Sequence, residues 1–195
     1  MHRKFVTEAP HSLFLATCSL LIGSAFAVQA EGTFLQLDLA SNTSDAVVAA
    51  TRDKLSFGAN YSSYKGGWSA GTYLLRDFAV ENIGTAKIGP SLGTSAARRG
   101  LSVGIKLVVE RYQTTSYGFA FLSGQFNTID SDWFALAQLG NGQGLSVDLT
   151  AGGSDFYSEH SFAVNYQLDD GPVSLRGGYR FKAEEVFLGL SVNTY

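Results

Sequence analysis

The stretch LSVGIKLVVE, residues 101–110, decides the fold class of this chain. Its odd-numbered positions are all aliphatic: Leu101, Val103, Ile105, Leu107 and Val109. Most positions between them are small, polar or charged, and this period of two is typical of a β-strand with two different faces. A helix would repeat its apolar residues at intervals of three and four. We therefore predict a strand with one aliphatic face and one face that carries Lys106 and Glu110.

The same alternation recurs along most of the chain. Clear alternation covers residues 33–39, 55–62, 145–150, 162–168 and 173–181. Weaker alternation covers residues 46–51, 68–76, 85–96, 116–126, 133–139 and 186–192. Gly, Asn, Asp and Ser, which favour turns, separate these segments. The pattern predicts an all-β protein, a single antiparallel up-and-down barrel of twelve strands. Ten strands is the alternative if residues 46–51 and 133–139 do not form strands.

The first 30 residues have the pattern of a cleaved leader. Arg3 and Lys4 give a positive start, and an apolar run follows at residues 13–26. Small residues then suit cleavage after Ala27 or Ala30. We predict a signal peptide over residues 1–30 and a barrel domain over residues 31–195.

The composition of the remaining chain excludes several classes of function. Cys18, the only cysteine, lies in the leader, and a lipoprotein is disfavoured because Thr17 precedes it. Beyond the leader, 12 Lys and Arg (14 less Arg3 and Lys4) face 16 Asp and Glu (17 less Glu8). Without a basic patch, we predict no nucleic-acid partner. No later segment is apolar for the ~20 residues that a spanning helix needs. A membrane location would therefore require a closed barrel.

The direction of the apolar faces separates a membrane barrel from a soluble one. Charged residues make up only 16% of the chain, and the polar faces are rich in Gly and Ser, which favours lipid around the apolar faces. Aromatic residues near strand ends are candidates for a girdle at the membrane interface: Tyr61, Tyr64, Trp68, Tyr112, Trp133, Tyr166 and Tyr179. The alternative is a soluble secreted or periplasmic barrel or sandwich that binds a small apolar ligand. That alternative requires inward-pointing side chains at Leu55, Phe57, Leu101, Val103 and Ile105.

The last residue, Tyr195, is aromatic, and outer-membrane barrels commonly end this way because their assembly machinery reads that residue. We predict Tyr195 as an assembly signal. Strict alternation puts it on the polar face of Asn193, Ser191 and Gly189, whereas the usual signal lies on the apolar face. A bulge near Asn193 would restore the usual arrangement.

Taken together, these features resemble the small outer-membrane β-barrel proteins of Gram-negative bacteria, and most closely the YfaZ-type family of short predicted porins. The matching segments are residues 34–51, residues 54–76 and a late pair of strands at residues 163–166 and 173–181. The closest motif is Gly178-Tyr179-Arg180. The resemblance implies a non-enzymatic narrow pore or structural envelope protein without a cofactor. It also implies contact with outer-membrane lipid and the barrel assembly machinery, and passage of a small solute or ion.

The residues themselves offer little catalytic chemistry. His160 is the only histidine after the leader, and its neighbour Ser161 would point to the opposite face of a strand. Asp169 and Asp170 precede a Gly-Pro pair and are predicted to form a turn. With no cysteine and one histidine beyond the leader, we predict no metal site and no catalytic residues.

Charges on the predicted polar faces are the remaining candidates for function. These candidate lumen-lining residues are Asp38, Lys106, Glu110, Asp148, Arg176 and Arg180. Because an isolated buried charge is costly, they must either pair inside a closed lumen or face water in a channel. The sequence leaves both arrangements open.

Overall fold

In the computed structural model, residues 32–98 and 100–195 are described, and they form one closed antiparallel barrel. The strands are β1 Gly32–Ala40, β2 Ser44–Arg52, β3 Leu55–Tyr64, β4 Gly67–Val80, β5 Gly84–Ser95, β6 Ser102–Thr115, β7 Gly118–Asn127, β8 Asp132–Gly140, β9 Leu145–Gly153, β10 Ser158–Gln167, β11 Val173–Arg180 and β12 Glu185–Asn193. The predicted all-β barrel of twelve strands is confirmed. The predicted signal peptide, residues 1–30, lies outside the described residues.

Each strand pairs with its neighbours in the chain, and β1 pairs with β12 to close the barrel. The closing register runs from Phe34 opposite Asn193 to Ala40 opposite Phe187. Because the number of strands is even, β1 starts and β12 stops at the same end, here called the terminal end. The opposite end, here called the distal end, carries the turns that follow the odd-numbered strands.

The turns use residues that tolerate a left-handed backbone. Asp53 (φ 54°) and Asn82 (φ 62°) form turns at the terminal end. Asp169 and Asp170 also have positive φ, at 49° and 53°, in the turn between β10 and β11. Asp and Asn enter this region more readily than most residues because their short side chains can bond to the local backbone. The predicted turn at Asp169 and Asp170 is therefore confirmed.

Some strands extend past the alternating apolar pattern. β6 continues to Thr115, five residues beyond the predicted end, and pairs with β7 as far as Gly118. β10 begins at Ser158, four residues before the predicted start. These added residues are mostly polar, so backbone pairing alone identifies them as strand.

The helical content is small. A 3-10 turn at Ile129–Ser131 was not predicted. Among the described residues, no helix has the length and apolar character needed to cross a membrane.

The two faces of each strand differ sharply in burial. On β6, Val103 is 77% exposed and Ile105 is 55% exposed, whereas Lys106 is 9% exposed. Leu55, Phe57 and Leu101 are exposed on the outer face as well. The soluble alternative requires these apolar side chains to point inward, and the structure places them outside. A sandwich is likewise excluded, because the strands form a single closed barrel.

Candidate functional site

The lumen wall can be traced from strand to strand, because directly paired residues point to the same face. Asp38 on β1 is buried inside the barrel and pairs with Asp45 on β2 and with Gly189 on β12. The same face continues through Ser62 on β3 and Ser69 on β4. Its uncharged members are mostly Gly, Ser, Thr, Asn and Gln. The inner wall is therefore polar and made largely of short side chains.

The structure places all six predicted lumen-lining residues on this inner face: Asp38, Lys106, Glu110, Asp148, Arg176 and Arg180. All except Glu110, which is half-buried, are buried. Six further inward charges were missed in the sequence: Asp45, Asp77, Lys87, Asp132, Glu159 and Glu185. They lie in the weaker or longer strands, where apolar alternation does not reveal the face. Each can be assigned to the inner face because it lies an even number of residues along its strand from a residue whose paired neighbour points inward.

Three of the predicted residues form a buried cluster, here called the arginine triad: Asp38, Arg176 and Asp148. Arg176 Nε lies 3.0 Å from Asp38 Oδ1, and its Nη1 lies 2.8 Å from Asp148 Oδ2. Nη1 also donates to Asn165 Oδ1 at 2.6 Å. The side chains of Arg176, Asp38 and Asp148 are only 7%, 5% and 4% exposed. The triad thus links β11 to β1 and β9 through the inside of the barrel.

A glycine makes the arginine triad possible. Gly189 pairs with Asp38 across the β1–β12 seam and with Arg176 across β11–β12. A Cβ at this position would collide with Asp38 Oδ1 and with the Leu37 carbonyl. The missing side chain leaves room for Asp38 to reach past β12 to the guanidinium on β11.

Arg180 organises a second group nearer the distal end. Its Nη2 lies 2.6 Å from Asp45 Oδ2, and its guanidinium lies 5.0 Å from the centre of the Phe187 ring. Glu185 accepts a hydrogen bond from the Asn42 backbone N–H at 2.9 Å and another from the Thr43 hydroxyl. These contacts tie the β1–β2 turn to the inner wall at β11 and β12.

The third group, here called the lysine triad, consists of Asp77, Lys87 and Glu110 on β4, β5 and β6. Lys87 Nζ lies 2.8 Å from Glu110 Oε2 and 3.8 Å from Asp77 Oδ2. Ser56 Oγ donates to Asp77 Oδ2 at 2.9 Å. The side chains of Lys87, Asp77 and Glu110 are 14%, 15% and 26% exposed, more than those of the arginine triad.

The two triads lie on opposite walls of the lumen. Their central residues are on β5 and β11, which are six strands apart in either direction around the barrel. Lys87 and Arg176 are each the fourth residue of their strand counted from the terminal end. Any solute that crosses the barrel must therefore pass between these two sets of charges.

Lys106 lies on β6, four residues before Glu110 of the lysine triad, and has an aromatic partner. Its Nζ lies 4.7 Å from the centre of the Tyr73 ring, which is a cation–π contact. Ser91 Oγ on neighbouring β5 donates to Asn127 Oδ1 at 2.9 Å. Lys106 therefore has the Tyr73 ring as its close contact and the Asp132 carboxylate on β8 as its opposite charge.

Aromatic rings bridge the mouth at the distal end. Tyr64, at the end of β3, stacks on Tyr157 in the β9–β10 turn, with ring centres 5.3 Å apart. β3 and β9 lie six strands apart, so this contact crosses the lumen. Burial raises the pKa of the Tyr157 phenol, as does the nearby Asp45 carboxylate, so the phenol stays neutral. We call this pair the distal bridge.

The β7–β8 turn narrows the same mouth. Ile129 lies against the inner wall at Gly104, where a Cβ would collide with it. Arg98 forms an ion pair with Asp130, and the Asp155 backbone N–H donates to the Asp130 carbonyl at 2.9 Å. Three distal turns are therefore joined to one another around Asp130.

The aromatic residues predicted as a girdle divide between the two faces. Tyr61 and Trp68 stack on the outer face with ring centres 6.4 Å apart. Trp133, Tyr166 and Tyr179 also have outward parity. Tyr64 and Tyr112 do not fit an outer girdle, because their pairing places them on the inward-facing set.

Tyr195 follows the end of β12 without a bulge, because the register with β11 and β1 is continuous. Its ring lies against Gly32, and its hydroxyl is 3.0 Å from Thr51 Oγ1. Both contacts are with inward-parity residues at the terminal end. Its role as an assembly signal stays a prediction.

His160 lies apart from the inner wall. It pairs with Ala151 on the outer face, whereas Ser161 points inward and its Oγ lies 2.6 Å from Thr150 Oγ1. The two side chains thus point to opposite faces, as the alternation predicts. In residues 32–98 and 100–195, no group of three or more His, Cys, Asp or Glu side chains is placed to hold a metal ion.

The comparisons with known proteins point to one fold. No protein-family model matches the chain, and no curated protein sequence matches it. Among solved structures, the KdgM porin superposes with a TM-score of 0.54 at 7% identity, covering 84% of this chain and 99% of that chain. The KdgM porin in complex with disordered oligogalacturonate gives a TM-score of 0.55 at 8% identity with the same coverage. The likeness shows a porin-type barrel fold, and the YfaZ-type resemblance stays a prediction.

Proposed function

We propose that this protein is a narrow, non-enzymatic pore in the outer membrane of a Gram-negative bacterium, passing small polar solutes or ions. The observation that carries the proposal is the inverted distribution of its side chains. In a closed barrel, the outer face is aliphatic and aromatic while the inner face is polar and charged. This arrangement suits lipid outside and water inside, and it would be unfavourable in a soluble protein.

The few charges on the outer face agree with this placement. Within the described strands, the outward charged residues are Arg52, Arg76 and Arg111, together with the titratable His160. All three arginines lie towards the terminal end, where long side chains can extend to a headgroup region. The rest of the outer face can then contact the hydrocarbon core.

The width of the barrel supports a passage for small solutes. Eight strands give an interior that side chains just fill, and wider barrels leave space. Twelve strands and an inner wall of short polar residues fit a narrow polar channel. The likeness to porins supports the same conclusion at the level of the fold.

A second candidate function is a closed structural barrel. It is favoured by one observation, the distal bridge between Tyr64 and Tyr157, which spans the mouth. In that case the inner charges would serve only to stiffen the wall. The two candidates differ in whether folded protein conducts ions.

The test is conductance of the refolded barrel domain in planar lipid bilayers, with folding checked by heat-modifiable migration on gels. We expect discrete current steps, and a larger conductance for Tyr157→Ala because that change removes one side of the distal bridge. Phe156→Ala, an exposed neighbour in the same turn, is the matched control and should leave conductance unchanged. Folded protein that never conducts, with or without Tyr157→Ala, would contradict the pore and favour the structural barrel. Recovery of the protein in the soluble periplasmic fraction would contradict both.

A further inference from the structure

The lumen holds twice as many acids as bases. Inward positions of the described strands carry eight acids: Asp38, Asp45, Asp77, Glu110, Asp132, Asp148, Glu159 and Glu185. They carry four bases: Lys87, Lys106, Arg176 and Arg180. The inner wall therefore has a formal charge of −4 with every group ionised.

Each inward base already has partners within the wall. Arg176 lies between two carboxylates, Arg180 contacts Asp45 and lies near Glu185, and Lys87 lies between Asp77 and Glu110. Lys106 makes a cation–π contact with the Tyr73 ring and interacts electrostatically with Asp132. Every inward base in the described strands therefore has a partner in the wall, and only Arg180 Nη1, 3.8 Å from Glu185 Oε1, keeps a buried donor without a hydrogen bond.

Two carboxylate oxygens of the inner wall, in contrast, accept no hydrogen bond. Asp77 Oδ1 and Asp148 Oδ1 are buried and have no hydrogen-bond partner within the described part of the chain. One belongs to each triad, so opposite walls of the lumen each hold a carboxylate oxygen without a donor. Both oxygens leave negative potential in the wall that no donor offsets.

Acidic and basic residues are distributed differently between the two faces of the barrel. The negative charge of the lumen therefore reflects this distribution and not only the net charge of the chain. The outer face of the described strands carries three arginines and no acid. All eight strand acids point inward. A negative wall enclosed by lipid concentrates its field along the lumen, because the surrounding medium screens it poorly.

We infer that the lumen selects cations and uncharged polar solutes over anions. This inference rests on the proposed pore and names its class of solute. Rings of Asp and Glu favour cations in channels because they replace part of the hydration shell and lower the energy of positive charge. Acidic oligosaccharides, such as the one bound to the structurally similar KdgM porin, are then disfavoured in this lumen.

The lysine triad is the place to test selectivity, since it is more exposed than the arginine triad and tolerates change better. Reversal potentials are measured in a KCl gradient at low ionic strength, where screening is weak. Wild-type protein should reverse towards the potassium equilibrium potential. Asp77→Asn with Glu110→Gln should shift the reversal potential towards that of chloride, and Lys87→Gln should shift it the other way.

The matched control is Asp169→Asn with Asp170→Asn. It removes the same two charges from an exposed turn at the terminal end, and Asn also tolerates the positive φ found there. This pair should change the reversal potential far less than the lysine-triad pair. Spermine, a polycation, should reduce the current at concentrations where oligogalacturonate does not.

The outcomes separate the inference from the proposed function. Conducting protein that prefers chloride, or that is blocked by oligogalacturonate and not by spermine, overturns the cation preference while the pore stands. A reversal potential that moves equally with the turn variant overturns the role of the lumen charges. Folded protein without any conductance overturns the pore itself, and the selectivity with it.

Discussion

The arginine triad and the lysine triad contain the same set of charges, one base between two carboxylates, in two different environments. In the arginine triad all three side chains are at most 7% exposed, and Arg176 donates to both carboxylates and to Asn165. In the lysine triad the exposures reach 26%, and Lys87 makes one close contact and one of 3.8 Å. The difference teaches that burial, and not the set of charges alone, separates a cluster that links strands inside the wall from one that is more open to the lumen.

The choice of base follows the environment. A guanidinium offers several donors in one plane and can satisfy two carboxylates and an amide at once. An ammonium is a compact, strongly hydrated charge that benefits from nearby water. Arg176 therefore suits the dry wall and Lys87 suits the wetter one.

The largest expected effect comes from removing the buried base. Arg176→Met leaves Asp38 and Asp148 close together without a counter-charge, and should lower the free energy of unfolding by about 3–5 kcal/mol. The free energy of unfolding is measured by urea titration in lipid vesicles, with tryptophan fluorescence as the signal. The control replaces the whole triad with neutral groups: Asp38→Asn, Arg176→Met and Asp148→Asn. If that triple variant is no more stable than the single one, charge imbalance is not the cause.

The next largest effect is expected from an arginine introduced on the apolar outer face, where it has no carboxylate partner. Val109→Arg places a guanidinium on the outer face near the middle of β6, and a midplane Arg costs about 2–4 kcal/mol. Gln125→Arg, on the inner face of adjacent β7, is the matched control and should cost less because the lumen is polar. Equal folding yields for the two variants in vesicles would argue against lipid contact at Val109.

A smaller change in stability is expected at the lysine triad. Lys87→Met should cost about 1–2 kcal/mol, because water in the lumen can solvate Asp77 and Glu110 once the ammonium is gone. The same unfolding assay, run beside Arg176→Met, checks the ranking of the two triads. A cost at Lys87 as large as that at Arg176 would show that the two environments are equally dry.

The smallest effect concerns an outer arginine near the terminal end. Arg76→Leu should change the free energy of unfolding by no more than about 1 kcal/mol, since charges cost little near the interface. Arg76 lies 5.8 Å from the centre of the Phe78 ring, so Phe78→Leu reports the loss of that contact alone. A gain of several kcal/mol from Arg76→Leu would place this residue deep in the hydrocarbon.

Local alternation explains why the strands and their faces could be predicted from the sequence. All twelve segments became strands, and residues as separate as Asp38, Lys106 and Arg176 lie on the predicted face. Period-two patterns carry this information because each side chain's direction depends only on its neighbours. Lys87 was missed because β5 contains Pro90 and several glycines, which blur the pattern.

The contacts within the site could not be predicted in the same way. Asp38 and Asp148 meet Arg176 from strands two places away in the barrel, which depends on the register of every strand between them. The distal bridge joins the end of β3 to a turn on the opposite wall, so it depends on the size of the whole barrel. A sequence specifies which face a residue takes more directly than which residue it will meet.

The seam between β1 and β12 has a consequence for how the chain folds. The first and last strands must find each other across the full length of the barrel domain, and contacts so distant in sequence form slowly. Until β12 pairs with it, β1 has an open edge with unpaired backbone N–H and C=O groups, and such an edge can pair with strands of other chains. Closure is therefore close to all-or-none, and a chain that stalls before residue 185 would keep two unpaired strand edges.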